Sequence, residues 1–149
     1  MKKLTLLILI WSSWLQCHAP ESKIILIFEA KVFYLWTSCP IERAFIKIES
    51  NFQPDAVNPV SGATGILQIT PIMIADVNRI CKKIGLKRHY KIHDVYSPER
   101  SLEIFRLAML WHDPADLQEA CKIWFGRGKQ HDGITWREYY QKLIKYLKP

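Results

Sequence analysis

Apolar residues recur at helical spacing over most of the chain, and five runs stand out. Ile41, Ala44, Phe45 and Ile48 share one stripe that begins behind Pro40, a residue suited to a first helical turn, and ends before Pro54. A second run starts at Pro71 and carries Ile72, Ala75, Ile80 and Ile84, with Val77 beside them, until Gly85 and the basic Lys87-Arg88 loop stop it. Ser97-Pro98 reads as a cap followed by proline and introduces Leu102, Phe105, Ala108 and Met109. Asp113-Pro114 repeats that signal ahead of Leu117, Ala120, Cys121 and Trp124, a stripe broken at Gly126-Arg127-Gly128. The last run opens on the capping box Thr135-Trp136-Arg137-Glu138 and places Trp136, Tyr140, Leu143, Ile144 and Leu147 on its inner face. Between the first two runs, Asn58 to Gly65 gathers turn formers and two glycines, which predicts a tight irregular loop. The expected architecture is mainly α, with no internal repeat and no low-complexity segment.

The N-terminus follows another pattern. Lys2 and Lys3 precede an apolar stretch from Leu4 to Leu15, and Cys17-His18-Ala19 ends it with a small residue before a plausible cut. Residues 1–19 therefore read as an export signal, the stretch being too short to cross a bilayer of about 30 Å as a helix. Lipidation of Cys17 is the weaker alternative, because Gln16 stands where a small residue is wanted. Residues 24–36 are apolar again but contain Glu29 and Lys31, so residues 20–36 are read as a segment packed on a domain spanning 37–149.

Composition adds charge to this picture. The 149 residues carry a formal charge of +7, and loss of residues 1–19 leaves 19 Lys and Arg against 14 Asp and Glu, or +5. A basic exported protein suits an anionic partner, without distinguishing membrane, nucleic acid or cell wall. Cys39, Cys81 and Cys121 would remain, allowing at most one bridge within the chain. Cys81 with Cys121 is the preferred pair, since Cys39 adjoins a proline at a helix start. His89 and His93 have i, i+4 spacing but no third ligand pattern follows, so they read as surface histidines, and no metal or cofactor is expected.

One residue is out of place. Glu49 stands four after Phe45 and eight after Ile41, so its carboxylate projects from the buried stripe and not from the face of Arg43 and Lys47. It also sits near a helix end whose dipole disfavours negative charge. An acid among apolar neighbours resists ionisation and holds a proton it can donate, which is what a glycosidic oxygen needs in order to leave. The alternative is a structural ion pair with an arginine elsewhere in the chain.

Four blocks in order, Glu49-Ser50-Asn51-Phe52, Ala56-Val57-Asn58-Pro59, Ser61-Gly62-Ala63 and Gly65-Ile66-Leu67-Gln68-Ile69-Thr70-Pro71, resemble the soluble lytic transglycosylase domain of the lysozyme-like superfamily. The resemblance runs from about Pro40 to Leu147. It implies an α+β lysozyme-like fold that is mainly helical, five or six helices around a cleft, and cleavage of the β-1,4 bond between N-acetylmuramic acid and N-acetylglucosamine in peptidoglycan with closure of a 1,6-anhydro ring. Glu49 would be the catalytic acid, and Ser61, Gln68 and Trp124 would meet the sugar. The third family block departs from its pattern: in Ala120 to Gly128, Trp124 takes the aromatic position without the tyrosine hydroxyl that meets the acid in many relatives, and Phe125 replaces an amide. The resemblance further implies peptidoglycan glycan strands as partner, a monomer in the periplasm or cell envelope, and service to a secretion, conjugation or phage apparatus. A hydrolytic muramidase on the same fold and a non-catalytic wall-binding module are the alternatives. A nucleic-acid binder would rest on charge alone.

Overall fold

Proline and a capping side chain set most of the helix starts in the computed structural model, which describes residues 39–126 and 133–147. Five α-helices follow one another: α1 Pro40–Ser50, α2 Pro71–Lys83, α3 Pro98–His112, α4 Leu117–Phe125 and α5 Trp136–Leu147, with a 3₁₀ turn, Ile92–Tyr96, ahead of α3. Pro40, Pro71 and Pro98 each occupy a first turn, where a missing N–H costs nothing. Thr70, Ser97 and Asp116 accept from the backbone N–H of Met73, Arg100 and Glu119. The capping box of α5 forms as expected: Thr135 N–H donates to Glu138 and Glu138 N–H donates back to the Thr135 hydroxyl.

Helix α1 packs on α5, α4 on α5, α2 on α3, and α3 on both α4 and the 3₁₀ turn. Phe45, Phe105, Trp124 and Tyr139 form one aromatic cluster where α1, α3, α4 and α5 meet. The Phe45 ring centroid lies 5.0 Å from Phe105 and 6.0 Å from Tyr139, and the Phe105 ring lies 4.7 Å from Trp124 at 66°. Helix α1 is tied down a second way: Arg106 of α3 grips the buried Glu42 with two hydrogen bonds of 2.7 and 2.8 Å.

The fold corrects several sequence expectations in detail. Helix α4 begins at Leu117 behind Asp116, while Asp113 closes α3 in a left-handed conformation (φ 44°), so Asp113-Pro114 is an ending and not a start. In α2 the buried set is Ile74, Val77, Ile80 and Cys81, and Ile72 is 75% exposed: with so many apolar residues, a stripe displaced by one or two positions fits the spacing equally well. In α5 the buried pair is Tyr139 and Leu143, with Tyr140 only half-buried. Cys81 and Cys121 are buried free thiols and form no bridge. The export signal at 1–19, the segment 20–36, Cys17 and Gly128 lie outside the described residues. Among those described, no helix is long and apolar enough to cross a membrane.

Candidate active site

The loop between α1 and α2 is shaped by backbone that few side chains tolerate. Thr64 pairs with both Val57 and Ile69 as isolated antiparallel bridges, and the Asn58 side chain accepts from the N–H of Val60 and of Ser61, folding the tip back. Gly65 is required: its φ is +80°, and a Cβ there would lie 2.0 Å from the carbonyl oxygen of Val95 in the 3₁₀ turn. That close approach seats the loop against the entry of α3. Ser50, at the end of α1, donates 2.9 Å to the carbonyl of Ile66 and couples the loop to the helix that carries Glu49.

An open groove of about 480 Å³ runs over this junction, lined by Lys47, Ile48, Glu49, Ser50, Asn51, Gln53, Ala56, Val57, Asn58, Pro59 and Gln68. Four of these residues are amides, and Glu49 is the single acid among them. Asp55 and Asp76 are exposed and lie outside the lining, Asp76 being paired with Arg79 at 3.0 Å.

Glu49 is one helical turn beyond Phe45 and Ile46, both fully buried, and two turns beyond Glu42. The two acids on this face meet different fates. Arg106 neutralises Glu42, whereas the partners of Glu49 are uncharged: the Tyr139 hydroxyl donates 2.6 Å and the Trp124 indole N–H donates 3.1 Å, both to Oε1. Among the described residues no hydrogen bond falls on Oε2. Burial raises the carboxyl from 4.5 to about 7, and the bonds from Tyr139 and Trp124 oppose that rise without cancelling it. Burial first, then the charge and hydrogen bond of Glu49, holds the Tyr139 phenol well above its usual 10, so it is a donor at every working pH. With Oε1 accepting twice, the proton of the neutral acid belongs on Oε2.

The expected sugar-contacting residues are placed differently from one another. Gln68 lines the groove, but its NH₂ is committed to the carbonyls of Ala56 and Gly65 at 3.2 and 3.1 Å, leaving the side-chain oxygen as its open group. Ser61 is outside the lining and its hydroxyl accepts from Ala63 N–H. Trp124 is buried with its N–H on Glu49, and Phe125 packs 5.3 Å from Tyr139. Tyr139 escaped the sequence reading because its neighbour Tyr140 fits the same apolar spacing. Tyr139 stands i, i+4 to Leu143, but Tyr140 stands so to Ile144, and spacing alone does not choose between them. Among the described residues, no group of three or more His, Cys, Asp or Glu side chains is placed to hold a metal ion.

Residues 40–112 match the transglycosylase SLT domain, a family of the lysozyme-like superfamily whose members are generally lytic transglycosylases. Glu49 and the groove loop fall within the matched segment, and Trp124 and Tyr139 lie beyond it. No curated protein and no solved structure matches the chain.

Proposed function

We propose that this chain is a lytic transglycosylase of the cell envelope that cuts the bond between N-acetylmuramic acid and N-acetylglucosamine, with Glu49 acting first as acid and then as base. The supporting observation is a carboxyl that burial raises to about 7 beside an open groove, held on one oxygen by two uncharged donors, with no second acid in the lining among the described residues. Glu49 gives its proton to the leaving oxygen as the bond to muramoyl C1 breaks. The resulting carboxylate, kept in place by Tyr139 and Trp124, then takes the proton of the muramoyl C6 hydroxyl as that oxygen bonds to C1. The ring closes, no water is consumed, and Glu49 ends protonated as it began.

A carboxyl near 7 suits both steps, since it yields and recovers a proton with comparable ease at neutral pH. Glycosidases that use water need two carboxyls about 5 to 9.5 Å apart, and the exposed positions of Asp55 and Asp76 favour the single-acid route. Export, argued from residues 1–19, and the basic charge fit a substrate in the wall. Gln68 through its side-chain oxygen and Ser61 at the loop tip are the proposed sugar contacts, with Trp124 holding the acid.

Purified protein incubated with murein decides among the readings. The expected product is a muramoyl end one water lighter than a hydrolytic one, absent with Glu49→Gln. Reducing muramic ends would mean a muramidase. Sedimentation with the wall and no cleavage would mean a binding module, and equal cleavage by both proteins would remove Glu49 from the chemistry.

A further inference from the structure

Among the described residues, the groove lining contains one ionisable side chain besides Glu49, Lys47. Two residues apart on a helix, the two do not face each other, and the hydrogen bonds to Glu49 come from Tyr139 and Trp124. The ammonium of Lys47 is directed elsewhere: it donates to the side-chain oxygen of Asn51 and stands 6.0 Å from the ring centroid of Phe52. The Arg43 guanidinium lies 6.0 Å from the same ring, so two like charges one turn apart on α1 converge on one aromatic.

The backbone that holds this arrangement is unusual. Asn51 and Phe52 are consecutive non-glycine residues in the left-handed region, at φ 53° and 66°. Asn51 has an ordinary reason, since its N–H closes α1 on Lys47 O at 3.2 Å. Phe52 follows it in a tight turn that the Gln53 N–H closes on Ser50 O at 3.2 Å, a conformation bulky residues seldom adopt. In this turn the Asn51 side chain and the Phe52 ring meet the Lys47 ammonium at the groove. Among the described residues that line the groove, Lys47 is the single cation.

From this we infer that Lys47 is a specificity residue for a carboxylate carried by the muramoyl side of the substrate, an inference that rests on the proposed peptidoglycan reading. The chemistry has two sources: the lactyl carboxylate of a glycan stripped of its peptides, and the carboxylates of an attached stem peptide. Either meets the ammonium in a groove whose other polar walls are amides and a hydroxyl, which read neutral sugar atoms.

The test is binding by the catalytically silent Glu49→Gln chain, measured by calorimetry, with and without Lys47→Met and Lys47→Arg. The probes are a peptide-free muramoyl glycan, the same glycan with its lactyl carboxyl converted to a methylamide, a peptide-bearing glycan, and a neutral N-acetylglucosamine oligomer. Lys47→Met should weaken at least one carboxylate-bearing probe by about three- to fivefold and abolish its salt dependence, as expected for one solvent-accessible ion pair. Lys47→Arg should keep the affinity. Loss on the peptide-free glycan that disappears on amidation assigns the lactyl group; loss confined to the peptide-bearing glycan assigns the stem. The neutral oligomer should bind all variants equally, which also shows that they are folded. An equal loss on the neutral oligomer, or no loss on any charged probe, overturns the inference. Failure of the Glu49 mechanism would appear separately, in the products of the wild-type chain.

Discussion

Replacing Glu49 by Gln should make the protein more stable, by an amount that depends on pH in a defined way. Gln keeps the shape and still accepts from Tyr139 and Trp124, but it cannot ionise. In the wild type the unfolded carboxyl ionises near 4.5 and the folded one near 7, so between those values the folded state holds a proton that the unfolded state has lost. The contribution of this group to stability is therefore complete below pH 4.5 and is lost as pH rises through about 7. Full conversion of that difference gives about 3 kcal/mol. The side chain is partly open to the groove, and solvent there reduces the figure to about 2 kcal/mol. For a domain of this size that corresponds to a melting shift of about 8 °C. Calorimetric melting of both proteins at half-unit steps from pH 4 to pH 8 isolates position 49, because every other group titrates alike in the two chains. The melting difference should grow by about that amount across the range. Parallel curves, or a gap that narrows with rising pH, would refute the claim that burial controls this carboxyl.

Tyr139→Phe removes a bond that favours the ionised form, so the alkaline limb of activity, where the acid loses its proton, should move above pH 7, with a kcat loss on the order of tenfold to a hundredfold. A pH–rate profile checks both, and a limb that stays in place would deny Tyr139 any electrostatic hold on Glu49. Gly65→Ala should destabilise the fold by about 3 kcal/mol or more, because its Cβ would meet the Val95 carbonyl at 2.0 Å and the φ of +80° is strained for alanine. Urea unfolding measures that, and a loss under about 1 kcal/mol would mean that the loop does not depend on this approach.

Much of the fold could be read from local chemistry. Prolines in first turns, the Ser97 cap and the Thr135–Glu138 box announce helix starts with residues that have few other uses at those positions. Glu49 was legible for the opposite reason, as a charge on a stripe that should have been apolar. Glu42 was not, because an acid in a first helical turn is ordinary, and its burial depends on Arg106, 64 positions away. Tyr139 and Tyr140 could not be separated by periodicity alone: a stripe about 100° wide admits either, and only the docking of α5 on α1 decides which one enters the core. The role of Trp124 was hidden in the same way, since spacing shows that the indole faces inward but not that its N–H reaches a carboxylate from another helix. Asp113 and Asp116 both precede the same apolar run, and the choice between them depends on where α3 has to end.

The proposed chemistry turns on the pH at which the Glu49 side chain gives up its proton. Carboxyl-selective ¹³C NMR, with the Glu49 signal assigned by its absence from Glu49→Gln, follows that event directly in the intact protein. A midpoint near 7, moved upward in Tyr139→Phe, is the predicted result. A midpoint near 4.5, like that of an exposed glutamate, would contradict it.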